Sequence, residues 1–314
     1  MKILVTGGAG FVGSHVVDLF IGAGHSVAIV DNLATGDPAW VSPTARLYPV
    51  DLRSVRLAEV FDTERPEVVA HLAAQASVSR SVTDPMFDAS VNVLGGLNLL
   101  DCCRRFGVRR VIYSSSGGAG YGDTDVLPTS EDHPTLPLSP YGITKVAMEH
   151  YVSAWSAIFG ISGIALRYAN VYGPRQNPQG EAGVVAIFCH RLLTGQTPVI
   201  NGDGEQTRDY VYVEDVAAAN LRALERPEAS GSVNIGTGVE TSVNALYERI
   251  REASGLRVEA RHGPARPGEQ RRSCLSPALA KRVLDWAPTV TLADGLKRTF
   301  DFFQTHYKRE EPTT

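Results

Sequence analysis

A phenol and an ammonium group four residues apart form the chemically most suggestive pair in the chain. Tyr141 and Lys145 follow Pro140, a residue that suits the first turn of a helix. Side chains at i and i+4 lie on one face of a helix, so the lysine lies close to the phenol. Lowering a tyrosine pKa from ~10 by ~3 units requires about 4 kcal/mol, which a nearby cation in a partly dry cleft can supply. The pair therefore predicts a general base, although many such pairs are plain surface contacts.

Three consecutive serines, Ser114 to Ser116, lie upstream of this pair at the end of a predicted strand over Arg110 to Ser115. In doubly wound α/β folds, ligands bind beyond the carboxyl ends of the parallel strands. A serine hydroxyl at this position can hydrogen-bond the same substrate oxygen as Tyr141. The serines are therefore candidates for the catalytic site.

A glycine-rich turn follows the first predicted strand, Lys2 to Thr6. It reads Thr6-Gly7-Gly8-Ala9-Gly10-Phe11-Val12-Gly13 and fits both G-x-G-x-x-G and G-x-x-G-x-x-G. Glycines let the backbone turn tightly and approach a pyrophosphate, which then faces the N-terminus of a helix. Asp31 ends the next predicted strand 18 residues after Gly13, where a carboxylate would accept the adenosine ribose hydroxyls. Together these features predict a dinucleotide site rather than a purely structural turn.

The residues around Asp31 favour NAD over NADP. The carboxylate would repel a ribose 2′-phosphate, and the neighbouring Asn32 and Leu33 supply no arginine to accept one. Asp51 and Leu52 end the third predicted strand. They either flank the adenine or form a simple turn, since aspartate is common in turns.

Short β-rich runs alternate with helical patterns, which predicts βαβ units and a parallel sheet with right-handed crossovers. The strands are predicted at Lys2 to Thr6, Ser26 to Val30, Arg46 to Val50, Glu67 to Leu72, Arg110 to Ser115 and Gly163 to Tyr168. The helices are predicted at Phe11 to Ala23, Phe87 to Phe106, from Tyr141, at Val216 to Leu224 and at Ser242 to Ser254. We expect a doubly wound domain over 1–168, to which 210–238 returns, and a smaller lobe over 169–314 that is partly interleaved with it.

Length and composition are those of a globular α/β protein. The 314 residues are 43% hydrophobic, and the 30 basic and 34 acidic side chains give a net charge of -4. Two domains, or one large unit with a second lobe, fit this length. An acidic chain without a basic tract gives no reason to expect a nucleic-acid or anionic-membrane partner.

Cysteine usage and the N-terminus favour a reducing, cytoplasmic location. The four cysteines show no C-x-x-C spacing, and the histidines have no carboxylate or cysteine at ligand spacing, so no metal site is predicted. The first apolar run stops at Thr6, too early for a signal peptide, and no stretch approaches ~18 apolar residues.

These residues resemble the extended short-chain dehydrogenase/reductase superfamily, from Lys2 to about Phe303. The glycine turn and Asp31 carry the resemblance together with His71-Leu-Ala-Ala74, Asn92, the serine run, Tyr141-x-x-x-Lys145 and Arg167-Tyr-Ala-Asn170. Four further segments are similar to NAD-dependent nucleotide-sugar epimerases, especially the UDP-glucose 4-epimerase group. They are Gly173-Pro-Arg-Gln176, Gly183-Val-Val-Ala-Ile-Phe188, Gly202-Asp-Gly-Glu-Gln-Thr-Arg-Asp-Tyr210 and Arg266-Pro-Gly-Glu269.

The resemblance implies a Rossmann-type NAD domain, with Tyr141 as base, Lys145 tuning it and holding the nicotinamide ribose, and a serine orienting the sugar hydroxyl. The family has one residue fewer between the serines and Tyr121-Gly122, whereas this chain carries Gly117-Gly118-Ala119-Gly120. Ser116 is therefore the preferred serine and Ser115 the alternative. The implied NAD contacts are Gly7, Gly10, Phe11, Val12, Gly13, Asp31, Asn32, Leu33, Thr35, Gly36, Asp51, Leu52, Leu72, Ala73, Ala74, Gln75, Asn92, Ser114, Ser115, Tyr141 and Lys145.

The resemblance also implies a nucleotide-sugar site in the second lobe. Arg208 and Arg266 would clamp the diphosphate, because guanidinium groups pair with phosphate through two hydrogen bonds. Asn170 would support the phosphates, and Glu269 would bind the uridine ribose. The implied substrate contacts are Ser116, Tyr141, Asn170, Val199, Arg208, Arg266, Glu269 and Ser273. Two residues have uncertain roles: Arg175 is either structural or functional, and His71 is expected to be structural.

The predicted activity is reversible C4 epimerisation of a UDP-hexose through a 4-keto intermediate, with N-acetylhexosamine forms as further substrates. Two alternatives remain. A nucleotide-sugar 4,6-dehydratase would need an Asp-Glu pair after the hydroxyl residue, where this chain has Gly117-Gly118. A non-catalytic NAD-sensing regulator on the same fold would not need Tyr141, Lys145 and a serine together. The superfamily also implies a homodimer, formed by the helices after Pro85 and Pro140.

Overall fold

The computed structural model describes residues 1–179, 183–265 and 270–310, with side chains up to residue 306. In chain order, its strands are β1 Lys2–Thr6, β2 Ser26–Val30, β3 Arg46–Tyr48, β4 Val68–His71, β5 Arg110–Ser116, β6 Ser162–Tyr168, β7 Asn170–Tyr172, β8 Val199–Asn201, β9 Thr207–Tyr212, β10 Gly231–Ile235, β11 Glu240–Ser242 and β12 Arg261–Gly263. Its helices are α1 Phe11–Gly22, α2 Leu57–Glu64, α3 Val78–Thr83, α4 Pro85–Ala89, α5 Gly95–Arg105, α6 Gly117–Gly120, α7 Pro140–Phe159, α8 Val184–Leu193, α9 Val213–Glu225, α10 Val243–Ser254, α11 Ala278–Leu284 and α12 Leu292–Glu310.

The main sheet has seven parallel strands in the order β10-β6-β5-β4-β1-β2-β3. Its register aligns the ends of the central strands, because Thr6 is opposite His71 and His71 is opposite Tyr113. The loops after β1, β4 and β5 therefore leave the sheet side by side. This edge brings the predicted cofactor and catalytic residues together.

Helices cover both faces of this sheet, as the alternating strand and helix pattern predicts. Along β1, Ile3 and Val5 pack into one apolar cluster and Leu4 into the other, on the opposite face. Strands buried on both faces have near-continuous apolar sequences, which explains the run Ile3-Leu4-Val5. A third cluster lies in the second lobe, where Phe188 of α8 packs with Phe300 of α12.

The chain returns to the main sheet late, as predicted. Strand β10 pairs in parallel with β6, and α9 packs against α1. The remaining strands form two small sheets, ordered β11-β9-β7 and β12-β8. The division of the chain into two domains at residue 168 stays a prediction.

The helix predicted over Phe87 to Phe106 is confirmed, with a difference in its interior. It begins earlier, at Pro85, and a π-helical turn over Ser90–Leu94 joins α4 to α5. Such turns are frequent at functional sites. Asn92 lies in this turn, and its side chain bonds the loop that follows β4.

Two further properties concern the described part of the chain. No helix there is both long and apolar enough to cross a membrane. The described residues also contain no group of three or more histidine, cysteine, aspartate or glutamate side chains placed to hold a metal ion.

Candidate active site

The glycine turn after β1 is too tight for other residues. Gly7 has a φ of +72°, and a Cβ there would lie 2.6 Å from the Ala73 backbone nitrogen. A Cβ on Gly13 would lie 2.0 Å from the Gly7 carbonyl oxygen. Gly10 caps α1 without any side-chain hydrogen bond, so no capping side chain occupies the first backbone N–H groups of the helix. This cradle suits a pyrophosphate.

Asp31 lies against this turn. Its carboxylate accepts hydrogen bonds from Ala9 N at 3.0 Å and from Leu33 N at 2.9 Å. Gly36 passes close by, since a Cβ there would lie 3.0 Å from Asp31 Oδ1. The predicted contacts Asn32, Leu33, Thr35 and Gly36 thus form one loop around the Asp31 carboxylate. The position fits the ribose of a dinucleotide.

Asp51 contacts this loop through Asn32. It accepts from Asn32 Nδ2 at 2.9 Å and pairs with Arg53 at 2.8 Å. The hydrogen bonds from Arg53 hold the pKa of Asp51 well below its usual range. Sequence reasoning missed Arg53, which lies three residues after the predicted strand Arg46 to Val50 and belongs to no recognisable motif.

The loop after β4 carries His71 and the predicted cofactor contacts from Leu72 to Gln75. His71 Nδ1 is 2.8 Å from the Thr6 hydroxyl, and burial lowers the pKa of His71 to about 3. The imidazole is therefore neutral and buried, as a structural histidine would be. Ala73 N donates to the same Thr6 hydroxyl at 3.2 Å, which fixes the loop against the glycine turn.

A buried carboxylate, Asp88, connects this loop to the helix that carries the catalytic pair. Asp88 is 0% exposed and accepts from Gln75 Nε2 at 2.7 Å, Asn92 Nδ2 at 3.1 Å and Thr144 Oγ1 at 2.9 Å. Thr144 directly precedes Lys145 on α7. Sequence reasoning missed Asp88, because an aspartate four residues before Asn92 looks like an ordinary surface residue of a helix.

Tyr141 and Lys145 share the first turns of α7, as their spacing predicts. The helix begins at Pro140, and the Ser139 side chain caps it by accepting from Gly142 N at 3.1 Å. Lys145 is 4% exposed, donates to Ser114 O at 2.8 Å and lies 5.9 Å from the centre of the Tyr141 ring.

Burial works against the charged form of both groups. It raises the pKa of Tyr141 to about 12, although a hydrogen bond with Ser116 lowers it. It lowers the pKa of Lys145 to about 8, although the carboxylates of Asp88 and Glu149 raise it. A base with this tyrosine pKa needs more positive charge nearby than Lys145 alone provides.

The three serines at the end of β5 have different partners, because successive side chains of a strand point to opposite faces. Ser114 Oγ is 2.9 Å from the Tyr168 hydroxyl, and Ser115 donates to Glu149. Ser116 accepts from Ala119 N at 3.3 Å, and its side chain is one of the groups that lower the pKa of Tyr141. Of the two candidate serines, Ser116 is therefore the one with an interaction with Tyr141, whereas Ser115 is bound to Glu149.

A buried ion pair between Glu149 of α7 and Arg167 of β6 joins the catalytic helix to the main sheet. Arg167 Nε donates to Glu149 Oε1 at 3.0 Å, and Arg167 Nη1 donates to the Tyr121 hydroxyl at 2.7 Å. Glu149 also accepts from Ser115 and from Ser232 of β10. The sequence analysis did not select Glu149, although its position four residues after Lys145 places it on the same face of the helix.

The second lobe brings some predicted substrate contacts close to the serines. Asn170 opens β7, and a Cβ on Gly118 would lie 3.9 Å from Asn170 Oδ1 and 3.7 Å from Ser273 Oγ. Arg208 lies on β9 and donates to Thr207 O at 2.7 Å. Val199 begins β8, where it pairs with β12. Arg266 and Glu269 lie outside the described residues.

The comparisons with known proteins place this geometry in a family. The model of the NAD dependent epimerase/dehydratase family matches residues 3–236. This chain belongs to that family. The predicted superfamily, the Rossmann-type fold and the NAD cofactor are thereby confirmed.

Three solved structures of this family are closely similar. UDP-glucose 4-epimerase of Thermotoga maritima, solved with UDP-glucose, is 47% identical with a TM-score of 0.95, covering 98% of this chain and 100% of that chain. The enzyme of Thermus thermophilus, in complex with NAD, is 44% identical with a TM-score of 0.93, covering 97% and 99%. UDP-N-acetylglucosamine 4-epimerase of Methanobrevibacter ruminantium, in complex with UDP-N-acetylmuramic acid, is 32% identical with a TM-score of 0.92, covering 97% and 98%.

Proposed function

We propose that this protein interconverts UDP-glucose and UDP-galactose by reversible epimerisation at C4. The observation that carries the proposal is the meeting of Tyr141, Lys145 and Ser116 at the sheet edge that also holds the glycine turn. The similar enzymes from Thermotoga maritima and Thermus thermophilus are UDP-glucose 4-epimerases. They support the predicted class of enzyme, an isomerase.

The glycine turn and Asp31 are the residues that would hold NAD. Gly7, Gly10 and Gly13 would admit the pyrophosphate to the N-terminus of α1, and the Asp31 carboxylate would accept the ribose hydroxyls. When bound, NAD supplies the acceptor and later the donor of the hydride at sugar C4.

Tyr141 would remove the proton of the sugar 4-hydroxyl and later return it. Ser116 lies beside the Tyr141 hydroxyl and would orient the same sugar oxygen by a hydrogen bond. Lys145, fixed by its bond to Ser114 O, would stabilise the tyrosinate by its charge. The 4-keto sugar must then present its other face before the hydride returns, which yields the C4 epimer.

The second lobe would bind the nucleotide part of the substrate. Arg208 and Asn170 would contact the diphosphate and Val199 would lie near the base. Arg266 and Glu269 are assigned here from the sequence motif alone. Ser273 is buried next to Gly118, so two small residues line the predicted sugar site and leave space between the second lobe and the serines. We propose that this space admits a 2-acetamido group, and the Methanobrevibacter ruminantium neighbour, a UDP-N-acetylglucosamine 4-epimerase, supports this extension.

The packing of Gly117 argues against the dehydratase alternative. A dehydratase needs an acid and a base beside the hydroxyl residue to eliminate water across C5 and C6. A Cβ at Gly117 would lie 2.4 Å from Leu275 Cδ1, so a carboxylic side chain there would require the Leu275 side chain to move. The regulator alternative predicts NAD binding without turnover, and activity measurements separate it from the epimerase.

We infer that two copies of the chain associate through α3, α4 and α7. Val82, Met86, Leu94 and Ile143 lie on these helices or the π-helical turn beside them, and each is more than half exposed. Large apolar side chains on neighbouring helices favour a two-fold symmetric contact with a second copy. Met86→Glu should shift the sedimentation equilibrium to the monomer, whereas Val55→Glu, at a more exposed valine elsewhere, should not. The cytoplasmic location stays a prediction.

The deciding experiment incubates the NAD-loaded protein with UDP-galactose and separates the products by epimer and by mass. We expect UDP-glucose of unchanged mass, whereas a product lighter by one water would indicate a dehydratase. Tyr141→Phe should lower kcat by at least ~10²-fold, the lower end for loss of a general base. Tyr151→Phe, on the same helix, is the matched control. Wild-type turnover by Tyr141→Phe would contradict the assignment.

A further inference from the structure

Left-handed backbone at two residues marks a region outside the catalytic centre. The described non-glycine residues with positive φ are Leu33, Arg65, Arg175 and Asp285. Arg65 and Asp285 end α2 and α11, where this conformation is common. Leu33 and Arg175 end no helix, and residues with a Cβ adopt this conformation only where their surroundings enforce it.

Arg175 connects two parts of the chain. Its φ is +67°, its guanidinium donates to Asp18 of α1 at 2.7 Å, and it lies 5.6 Å from the centre of the Trp40 ring. The preceding residue is also bound to α1, because His15 Nε2 donates to Pro174 O at 3.0 Å. The loop after β7 thus holds α1 beyond its phosphate-facing end.

Trp40 lies between Arg175 and the last helix. Its ring centre is 5.7 Å from that of Phe302 and 5.2 Å from that of His306, and these two rings stack at 4.0 Å. Helix α12 therefore packs against Trp40 through two aromatic side chains.

The chain from Trp40 leads directly back to the cofactor cradle. Trp40 ends a single 3-10 turn, which the Asp37 side chain caps. Asp37 N donates to Ala9 O at 2.9 Å, and the Asp31 carboxylate accepts from Ala9 N. The contacts therefore close a ring: from Ala9 through Asp37 and Trp40 to Arg175, and back to α1 at Asp18.

We propose that Arg175 and Trp40 are positioning residues that hold the adenosine-side loop closed over bound NAD and thereby slow its release. The ring meets the loop of residues 32–37 at Asp37, and Ala9, which bonds Asp37, also bonds the Asp31 carboxylate. Among the described residues, the contacts of Arg175 and Trp40 include neither Tyr141 nor the sugar-binding residues, so their effect falls on cofactor retention and not on the chemical step. The inference rests on the NAD cofactor of the proposed function.

The test measures exchange of protein-bound NAD against isotopically labelled NAD. Arg175→Gly removes both side-chain contacts while permitting the positive φ, and it should accelerate exchange about five- to tenfold. Trp40→Leu should do the same. The double variant should be no faster than the faster single variant, because both substitutions open the same ring.

Arg104→Ala is the matched control. Arg104 pairs with Asp101 at 2.7 Å and lies 5.6 Å from the centre of the Phe159 ring, which are the same kinds of contact away from the cofactor cradle. Its exchange rate should equal that of the wild type. Kcat at saturating NAD should stay within about twofold for all variants, since none touches the reacting atoms.

Three outcomes would overturn the inference: wild-type exchange in Arg175→Gly with only a lower thermal midpoint, equal acceleration in Arg104→Ala, or additive effects in the double variant. A wild-type protein that binds NAD without epimerising UDP-galactose would overturn the proposed function alone. A wild type that binds no NAD would overturn both.

Discussion

The proton affinity of Tyr141 should depend strongly on the bound cofactor. Burial raises the pKa of Tyr141 to about 12 in the NAD-free protein. A base that works near neutrality must be brought down by roughly five units, which corresponds to about 7 kcal/mol. This is nearly twice the stabilisation that a tyrosine with its ordinary pKa would require.

Lys145 supplies part of that stabilisation. Its Nζ lies 5.9 Å from the centre of the Tyr141 ring, and two unit charges at this distance attract by about 3 kcal/mol at an effective dielectric constant of ~20. That corresponds to about two pKa units. The remaining three or so units must come from the positive nicotinamide of bound NAD⁺ and from the substrate oxygen.

We therefore predict that NAD⁺ lowers the pKa of Tyr141 by about two to three units and that, in the NAD-loaded enzyme, Lys145→Met raises it by about two. Difference absorbance titration of tyrosinate, wild type minus Tyr141→Phe, isolates this one side chain. Kcat/KM should rise with pH through the pKa of Tyr141 in the NAD-loaded enzyme, because the deprotonated form is the base. Identical titration curves with and without NAD⁺, or no shift in Lys145→Met, would refute the electrostatic argument.

Three further predictions follow from single contacts. The wild type should bind NAD more tightly than NADP in direct titration, because the Asp31 carboxylate would repel a 2′-phosphate, and Asp31→Ser should narrow the difference. Ser273→Tyr should abolish turnover of UDP-N-acetylglucosamine and spare that of UDP-galactose. The added ring would fill the space for the 2-acetamido group, and close-packed surroundings do not move to restore it. Equal loss of both activities would show that Ser273 does not select between the substrates. Glu149→Gln should lower the free energy of unfolding in urea by about 3–5 kcal/mol, because it strands the buried charge of Arg167. The exposed control Glu59→Gln should lower it by less than about 1 kcal/mol.

Local sequence signals account for much of the fold and of the candidate site. The glycine turn, Asp31 and the Tyr141–Lys145 spacing each lie within one element or one connection, where steric and helical geometry fix the outcome. The alternation of elements predicts the parallel sheet, and β10, which pairs with β6, lies within the segment 210–238 that is predicted to return to it.

Tertiary contacts decide what the sequence could not show. The π-helical turn between α4 and α5 contains Asn92, whose side chain bonds Gln75 and Thr144, two residues distant in the chain. Asp88 is buried because Gln75 and Thr144 reach it from other elements. The helical pattern of a sequence does not show which residues of other elements will bond such side chains.

The inserted glycines explain how Ser116 is oriented. Gly117-Gly118-Ala119-Gly120 form the short helix α6, and Ser116 caps it by accepting from Ala119 N at 3.3 Å. Ser116 is also the serine whose side chain lowers the pKa of Tyr141, so this interaction favours the tyrosinate form. Ser115 has a different partner, because it donates to Glu149. Of the two candidate serines, the one that caps α6 is therefore the one that acts on the proposed base.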